Sequence, residues 1–240
     1  MKHIPLSIPH LSGQEARYVT EALETNWVAP LGPNVDAFER DMQTYTGAGA
    51  TLATSSGTAA IHLALATLGV TAGDDVFCQS LTFIASTNPI RYVGARPVLI
   101  DSEEETWNMS PVALRRALLQ AATRGKLPKA VIVVHLYGVA AQIEEIAALC
   151  EEYDVPLIED AAESLGTRVN GQMTGTFGTF GIYSFNGNKI ITTSGGGMLV
   201  ANDPALIERA FYLGTQARQP VLHYEHTEVG YNYRMSNVAA

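Results

Sequence analysis

Two kinds of segment alternate along the chain. Short runs rich in Val and Ile recur at 75–78, 96–100, 130–134 and 155–158. Apart from Asp75 and Arg96 at their starts, they are continuously apolar rather than alternating with polar residues, as expected of strands covered on both faces. Between them, apolar residues recur at spacings of three and four, the period of a helix with one face inward. Residues 56–68 place Ile61, Ala64, Leu65 and Leu68 on such a face. Ser110 reads as an N-cap followed by Pro111, with Leu114, Ala117, Leu118 and Ala121 inward and Gly125 as terminator. Residues 142–153 repeat the design with Ile143, Ile146, Ala147 and Cys150 inward, and Glu144 and Glu145 in the first turn. A further strand is expected over 198–201. Residues 26–34, with Pro30, Gly32 and Pro33, read as an ordered loop between helices, and 223–233 as a loop over a surface. The alternation predicts an α/β domain with a mostly parallel sheet and helices on both faces. Ligands then bind at the carboxyl ends of the strands.

Composition narrows the class. The 240 residues are 47% hydrophobic and 16% charged, enough to bury a sizeable core. The formal charge of −9 argues against a nucleic-acid partner, because such proteins concentrate Lys and Arg. Cys78 and Cys150 form neither a disulfide framework nor a C-x-x-C pair, so buried thiols in a reducing cytoplasm are expected. The apolar stretch 130–141 is interrupted by His135 and falls short of the ~20 residues a membrane span needs. The start, MKHIPLSIPH, has no continuous apolar region, so no secretory leader is expected.

Three places carry candidate chemistry. The first is Thr54-Ser55-Ser56-Gly57-Thr58-Ala59, at the start of the 56–68 helix. Free N–H groups and the positive end of a helix dipole suit a phosphate, Gly57 allows close approach, and Thr58 adds a hydroxyl. The plainer alternative is a Ser-capped helix. No G-x-G-x-x-G or G-x-x-x-x-G-K-[ST] occurs, so neither a dinucleotide fingerprint nor a P-loop is present. The second is Asp160, in Leu157-Ile158-Glu159-Asp160-Ala161-Ala162-Glu163, where an apolar strand ends. A carboxylate there could bind a metal, a ribose or a protonated ring nitrogen, or simply cap a turn. No His or Cys lies near it in sequence, which disfavours a metal. The third is Lys189, in Ser184-Phe185-Asn186-Gly187-Asn188-Lys189. No other charged residue falls between Arg168 and Asp203, an odd setting for a solvated lysine. A lysine held in a pocket can attack a carbonyl. Ser184 and Asn186 offer further phosphate donors.

The order of a Ser-Gly-Thr helix start, a strand-end Asp and a later Lys fits an enzyme that binds pyridoxal 5′-phosphate (PLP) through a lysine, with an Asp on the pyridine nitrogen. With the blocks PHLSGQE, NWVAPLGPNVDAFE, SSGTAAIHLAL, LTFIASTNPI, EDAAESLG, SFNGNKIITTSGGG and GYNYRMSNVAA, the chain resembles throughout its length the DegT/DnrJ/EryC1/StrS family. These are fold type I, PLP-dependent nucleotide-sugar aminotransferases. The resemblance implies that Lys189 forms the Schiff base and Asp160 holds the ring nitrogen protonated. It also implies that Phe83 stacks on the ring, that Gly57, Thr58 and Ser184 bind the phosphate with Asn186 nearby, and that Ala162 lies under the ring with Glu163 beside it. A second subunit completes such sites, so a homodimer is implied, with Asn232 reaching the partner's phosphate. Asn26, Trp27 and Arg234 would border the sugar nucleotide.

The implied reaction moves an amino group from glutamate to a nucleotide-linked 4-keto-6-deoxy sugar. The blocks are most similar to transaminases making UDP-4-amino-4,6-dideoxy-N-acetylglucosamine. GDP-perosamine synthases share a Glu at position 163 and are the alternative. A dehydratase branch carries His in place of Lys189. Two departures stand out: Ser194 and Gly195 occupy the Gly-Glu places of the family's T-x-G-E-G-G run, and the chain stops where a smaller C-terminal domain is expected to begin. The expected organisation is therefore a PLP-binding large domain over 1–240 with an N-terminal helical segment and without that smaller domain. A non-catalytic protein of the same fold is the reading that competes with an enzyme.

Overall fold

A computed structural model describes residues 7–240. The first half comprises α1 (Glu15–Glu24), α2 (Pro33–Thr46), β1 (Ala50–Thr54), α3 (Gly57–Thr67), β2 (Asp75–Gln79), α4 (Asn88–Tyr92), β3 (Arg96–Ile100) and α5 (Pro111–Thr123). Then follow β4 (Ala130–Val134), α6 (Ile143–Glu152), β5 (Leu157–Asp160), β6 (Arg168–Val169), β7 (Gln172–Met173), β8 (Phe180–Ser184), β9 (Gly197–Ala201) and α7 (Pro204–Gly214). Seven strands form one sheet in the order β1-β9-β8-β5-β4-β2-β3, and β6 pairs with β7 as a separate hairpin. In the large sheet β9 runs antiparallel to both neighbours and every other pair is parallel. The expected mostly parallel sheet is thus what forms. The exception has a simple cause: no crossover helix lies between β8 and β9, so the chain turns back antiparallel.

Strand residues alternate between two cores. Val76, Cys78, Ile132, Ile158, Ile182 and Leu199 face Ile61 and Leu65 of α3, Ile90 of α4 and Leu213 of α7. On the other face, Phe77, Val131, Val133 and Leu157 meet Leu114 and Leu118 of α5 and Ile143 and Ile146 of α6. Nearer β1 the same side holds Val35 and Met42 of α2 against Tyr183, Met198 and Val200. The helices start where the sequence says. The Oγ of Ser56 accepts from Ala59 N–H at 3.0 Å and the Oγ of Ser110 from Ala113 N–H at 3.2 Å. α2 lacks a cap of its own. Buried Asn237 supplies one from far along the chain, its Oδ1 accepting from Asn34 N–H (2.9 Å) and Val35 N–H (3.3 Å). It also donates from Nδ2 to Trp27 O (2.9 Å), so it pins the loop before α2.

Three expectations are corrected. α3 is buried on nearly every side, Ala59, Ala60, His62 and Leu63 included, rather than along one stripe. It is wedged between the sheet, α4 and α7. The fifth sheet segment runs Leu157–Asp160 rather than over 155–158, in register with β4 and β8. The loop expected over 26–34 ends earlier, because Pro33 already opens α2, where its missing N–H costs nothing. No helix among the described residues is long and apolar enough to cross a membrane. Cys78 and Cys150 are free and buried, and burial pushes the Cys150 thiol up to about 12.

Candidate active site

The carboxyl ends of the parallel strands surround a cavity of about 720 Å³. Nine of the residues singled out in the sequence line it: Gly57, Thr58, Phe83, Asp160, Ala162, Glu163, Ser184, Asn186 and Lys189. Each arrives from a strand end. The α3 N-terminus follows β1, Phe83 follows β2, Asp160 ends β5, and the 185–196 loop carries Lys189 between β8 and β9.

One wall is a cradle for an anion. Ser56 uses its side chain and carbonyl on Ala59 and Ala60, which leaves the N–H groups of Gly57 and Thr58, two residues that line the cavity, without a hydrogen-bond partner among the described residues. Ser184 stands opposite, and a Cβ added to Gly57 would lie 3.3 Å from the Ser184 Cβ. The cradle exists because Gly197 on β9 has no side chain. A Cβ there would come within 2.4 Å of the Ser56 carbonyl carbon, so any other residue would push α3 off the sheet.

Asp160 lies at the floor, and its Oδ2 accepts from Ser86 Oγ at 2.6 Å and its Oδ1 from Ala162 N–H at 3.2 Å. Burial pushes its carboxyl above the usual carboxylate range, while the Ser86 and Ala162 hydrogen bonds and the Lys189 charge pull it down. A cation placed against Asp160 would favour the ionised form. The Lys189 side chain is 15% exposed, so the unusual charge-free setting in sequence corresponds to a shielded amine. Its Nζ donates to Glu163 Oε1 at 2.9 Å, and Glu163 Oε2 accepts from Tyr137 N–H at 2.9 Å. An anion cradle, a buried carboxylate and one shielded amine therefore share a single space.

Phe83 stands at the mouth, 75% exposed. Asn232 and Arg234 line a separate depression of about 400 Å³ with Pro30, Leu31, Thr215, Gln216 and residues 218–221. Arg234 is tied down there by an ion pair with Glu39 and a bond to Ala53 O at 3.1 Å. Asn26 and Trp27 lie in the α1–α2 loop, outside the cavity. Within one chain these four do not reach the cavity.

Several residues of the site are not apparent from the sequence. Glu159 and His135 are fully buried side by side. Glu159 accepts from Gly175 N–H (2.8 Å), Phe177 N–H (2.7 Å) and Gly178 N–H (2.6 Å). His135 Nδ1 accepts from Ala141 N–H (3.1 Å), so its ring proton sits on Nε2, 3.0 Å from Glu159 Oε2. Trp107 and Tyr137 line the mouth with left-handed backbones, φ 63° and 52°. Bulky residues in that region cost about 1–3 kcal/mol and cluster at working sites. Thr82 and Ser86 lay inside the LTFIASTNPI block, four residues apart, and that spacing was the available signal.

These features define a lysine-and-carboxylate site at the strand ends of a largely parallel sheet. The sequence model of the DegT/DnrJ/EryC1/StrS aminotransferase family matches residues 9–240, and the chain belongs to that family. The chain is 61% identical over 239 residues to EpsN of Bacillus subtilis (strain 168), provisionally named a pyridoxal phosphate-dependent aminotransferase, covering 100% of this chain and 62% of that protein. It is 40% identical to the GDP-perosamine synthase of Escherichia coli O157:H7, covering 100% of this chain and 64% of that one. The crystal structure of the aminotransferase TlmJ from Streptoalloteichus hindustanus superposes with a TM-score of 0.91 at 34% identity, covering 99% of this chain and 63% of the other. The chain thus spans less than two thirds of the length of these relatives.

Proposed function

We propose that the protein is a PLP-dependent aminotransferase that moves the amino group of glutamate to a nucleotide-linked 4-keto-6-deoxy sugar, as a step in bacterial glycan synthesis. The observation that carries this reading is the meeting of the α3 cradle, Asp160 and Lys189 in one cavity. PLP has three matching handles: a phosphate, a basic ring nitrogen and an aldehyde. Bound there, it would supply a carbon that condenses with amines and a cationic ring that takes up electron density.

The chain's own residues then have distinct tasks. The first turn of α3, Thr58 and Ser184 hold the phosphate, with Asn186 close by. Asp160 would receive the ring nitrogen's proton and keep it in place, an electrostatic contribution usually worth several kcal/mol. Ala162 and Phe83 would line the two faces of the ring. Lys189 Nζ, the one amine among the described lining residues, would hold the cofactor through its aldehyde, whose oxygen leaves as water, and as a free amine would carry a proton to and from the substrate Cα. Glu163 holds Lys189 through the 2.9 Å contact.

We further infer a homodimer, in which Asn232, outside its own chain's cavity, reaches the partner's phosphate. Asn26, Trp27 and Arg234 would border the sugar nucleotide, and the two buried thiols fit a cytoplasmic setting. The preferred acceptor is UDP-4-keto-6-deoxy-N-acetylglucosamine. A GDP-linked 4-keto sugar is the second reading, favoured by the 40% identity to a GDP-perosamine synthase. The test is incubation with isotope-labelled glutamate and each keto sugar, followed by mass spectrometry. Label in an amino sugar supports the reading, and the sugar that takes it identifies the nucleotide. Label in neither sugar refutes it.

A further inference from the structure

The buried acid of the cavity does not stand alone. Ser86, 1% exposed, presents Oγ to Asp160 Oδ2 at 2.6 Å, and Thr82 Oγ1 lies 2.8 Å from the same Oγ. A serine hydroxyl has one proton to give. At 2.6 Å the contact has the length of a hydroxyl donating to an ionised oxygen, so that proton points at Asp160. Thr82 must then donate to Ser86. Both hydroxyls come from the turn after β2, whereas Asp160 ends β5, so the contact joins elements 74 residues apart. Oδ1 of Asp160 accepts only the longer Ala162 bond, which leaves it a lone pair for a group in the cavity.

We propose that Ser86, backed by Thr82, is a positioning residue that holds the Asp160 carboxylate in the orientation able to receive a ring N–H, and so makes the cavity selective for a cofactor with a protonated ring nitrogen. This rests on the PLP reading above. Ser86 is the largest influence within the chain opposing the effect of burial on Asp160. Without it the carboxyl keeps one bond, is free to rotate about χ2, and has less reason to stay ionised.

The experiment compares two probes on the full chain by absorbance and fluorescence titration: PLP, and an analogue with C–H in place of the ring nitrogen. Ser86→Ala should weaken PLP by roughly 10- to 100-fold, the range of a bond to a charged group, and leave the analogue unchanged. Thr82→Val should show a smaller loss with the same selectivity, and Ser86→Thr, which keeps a hydroxyl, should restore PLP. Should Ser86→Ala fail to fold, Thr82→Val carries the comparison. Equal weakening of both probes, or of neither, would overturn the proposal. An unaltered chain that binds no PLP overturns the cofactor reading itself and this inference with it, and is told apart by that first titration.

Discussion

Replacing Glu159 by glutamine tests how the floor of the cavity is held. The carboxylate has no accessible surface and receives four donors: two backbone N–H groups on Oε1, and one backbone N–H plus the His135 Nε2–H on Oε2. An amide keeps one oxygen. If that oxygen serves Phe177 and Gly178, the new NH₂ faces the N–H of Gly175 and the imidazole N–H, donor against donor. Moving the imidazole proton to Nδ1 gives no escape, because it breaks the bond from Ala141. Two bonds to a charged group are lost, at about 1.5–3 kcal/mol each. Urea unfolding followed by circular dichroism should therefore show a loss of about 4 kcal/mol, a midpoint shift of roughly 1 M or more at a slope near 3 kcal/mol per M. As a control, Glu152→Gln breaks the exposed Arg115 pair and should cost about 0–1 kcal/mol. A Glu159→Gln loss no larger than the control would refute the claim that this carboxylate anchors the 175–178 turn to β5.

Two further outcomes follow from the same reasoning. His62 is buried among Tyr92, Tyr231 and Tyr233, and that burial holds it below its ordinary value of 6.5. The stability it contributes is full above 6.5 and is gone once pH has fallen through its lower folded value, so His62→Phe should flatten the acid side of a melting-temperature profile; an unchanged slope there would contradict this. Gly197→Ala should shift the α3 N-terminus and cut PLP affinity at least tenfold, the effect of losing about 1.4 kcal/mol of phosphate binding, as read by fluorescence titration; wild-type affinity would show that the α3 cradle is not the phosphate site.

The fold was legible where local chemistry decides it. Ser56 and Ser110 mark helix starts by hydrogen bonds that reach only three residues, and Pro111 by a missing N–H that costs nothing there; the apolar runs declare strands, though the one over 96–100 lies at the sheet edge with Leu99 exposed rather than covered on both faces. The site was legible in its polar exceptions: Asp160 at a strand end, and Lys189 without charged neighbours. What could not be read depends on distant partners. Glu159 stands beside Asp160 in sequence, but alternation along β5 turns it to the opposite face, where three of its four donors are backbone N–H groups with no sequence signature and the fourth is His135, 24 positions away. Asn237 caps a helix about 200 positions away. His62 gives no hint that three tyrosines close around it, and Trp107 and Tyr137 gain meaning only from their backbone angles and their place at the mouth.

The central claim is that Lys189 is the amine that bonds the cofactor. It is tested most directly by loading the protein with PLP, reducing with borohydride, digesting, and locating the added pyridoxyl mass. That mass belongs on Lys189. Its appearance instead on Lys2, Lys126 or Lys129, or on no lysine, would contradict it.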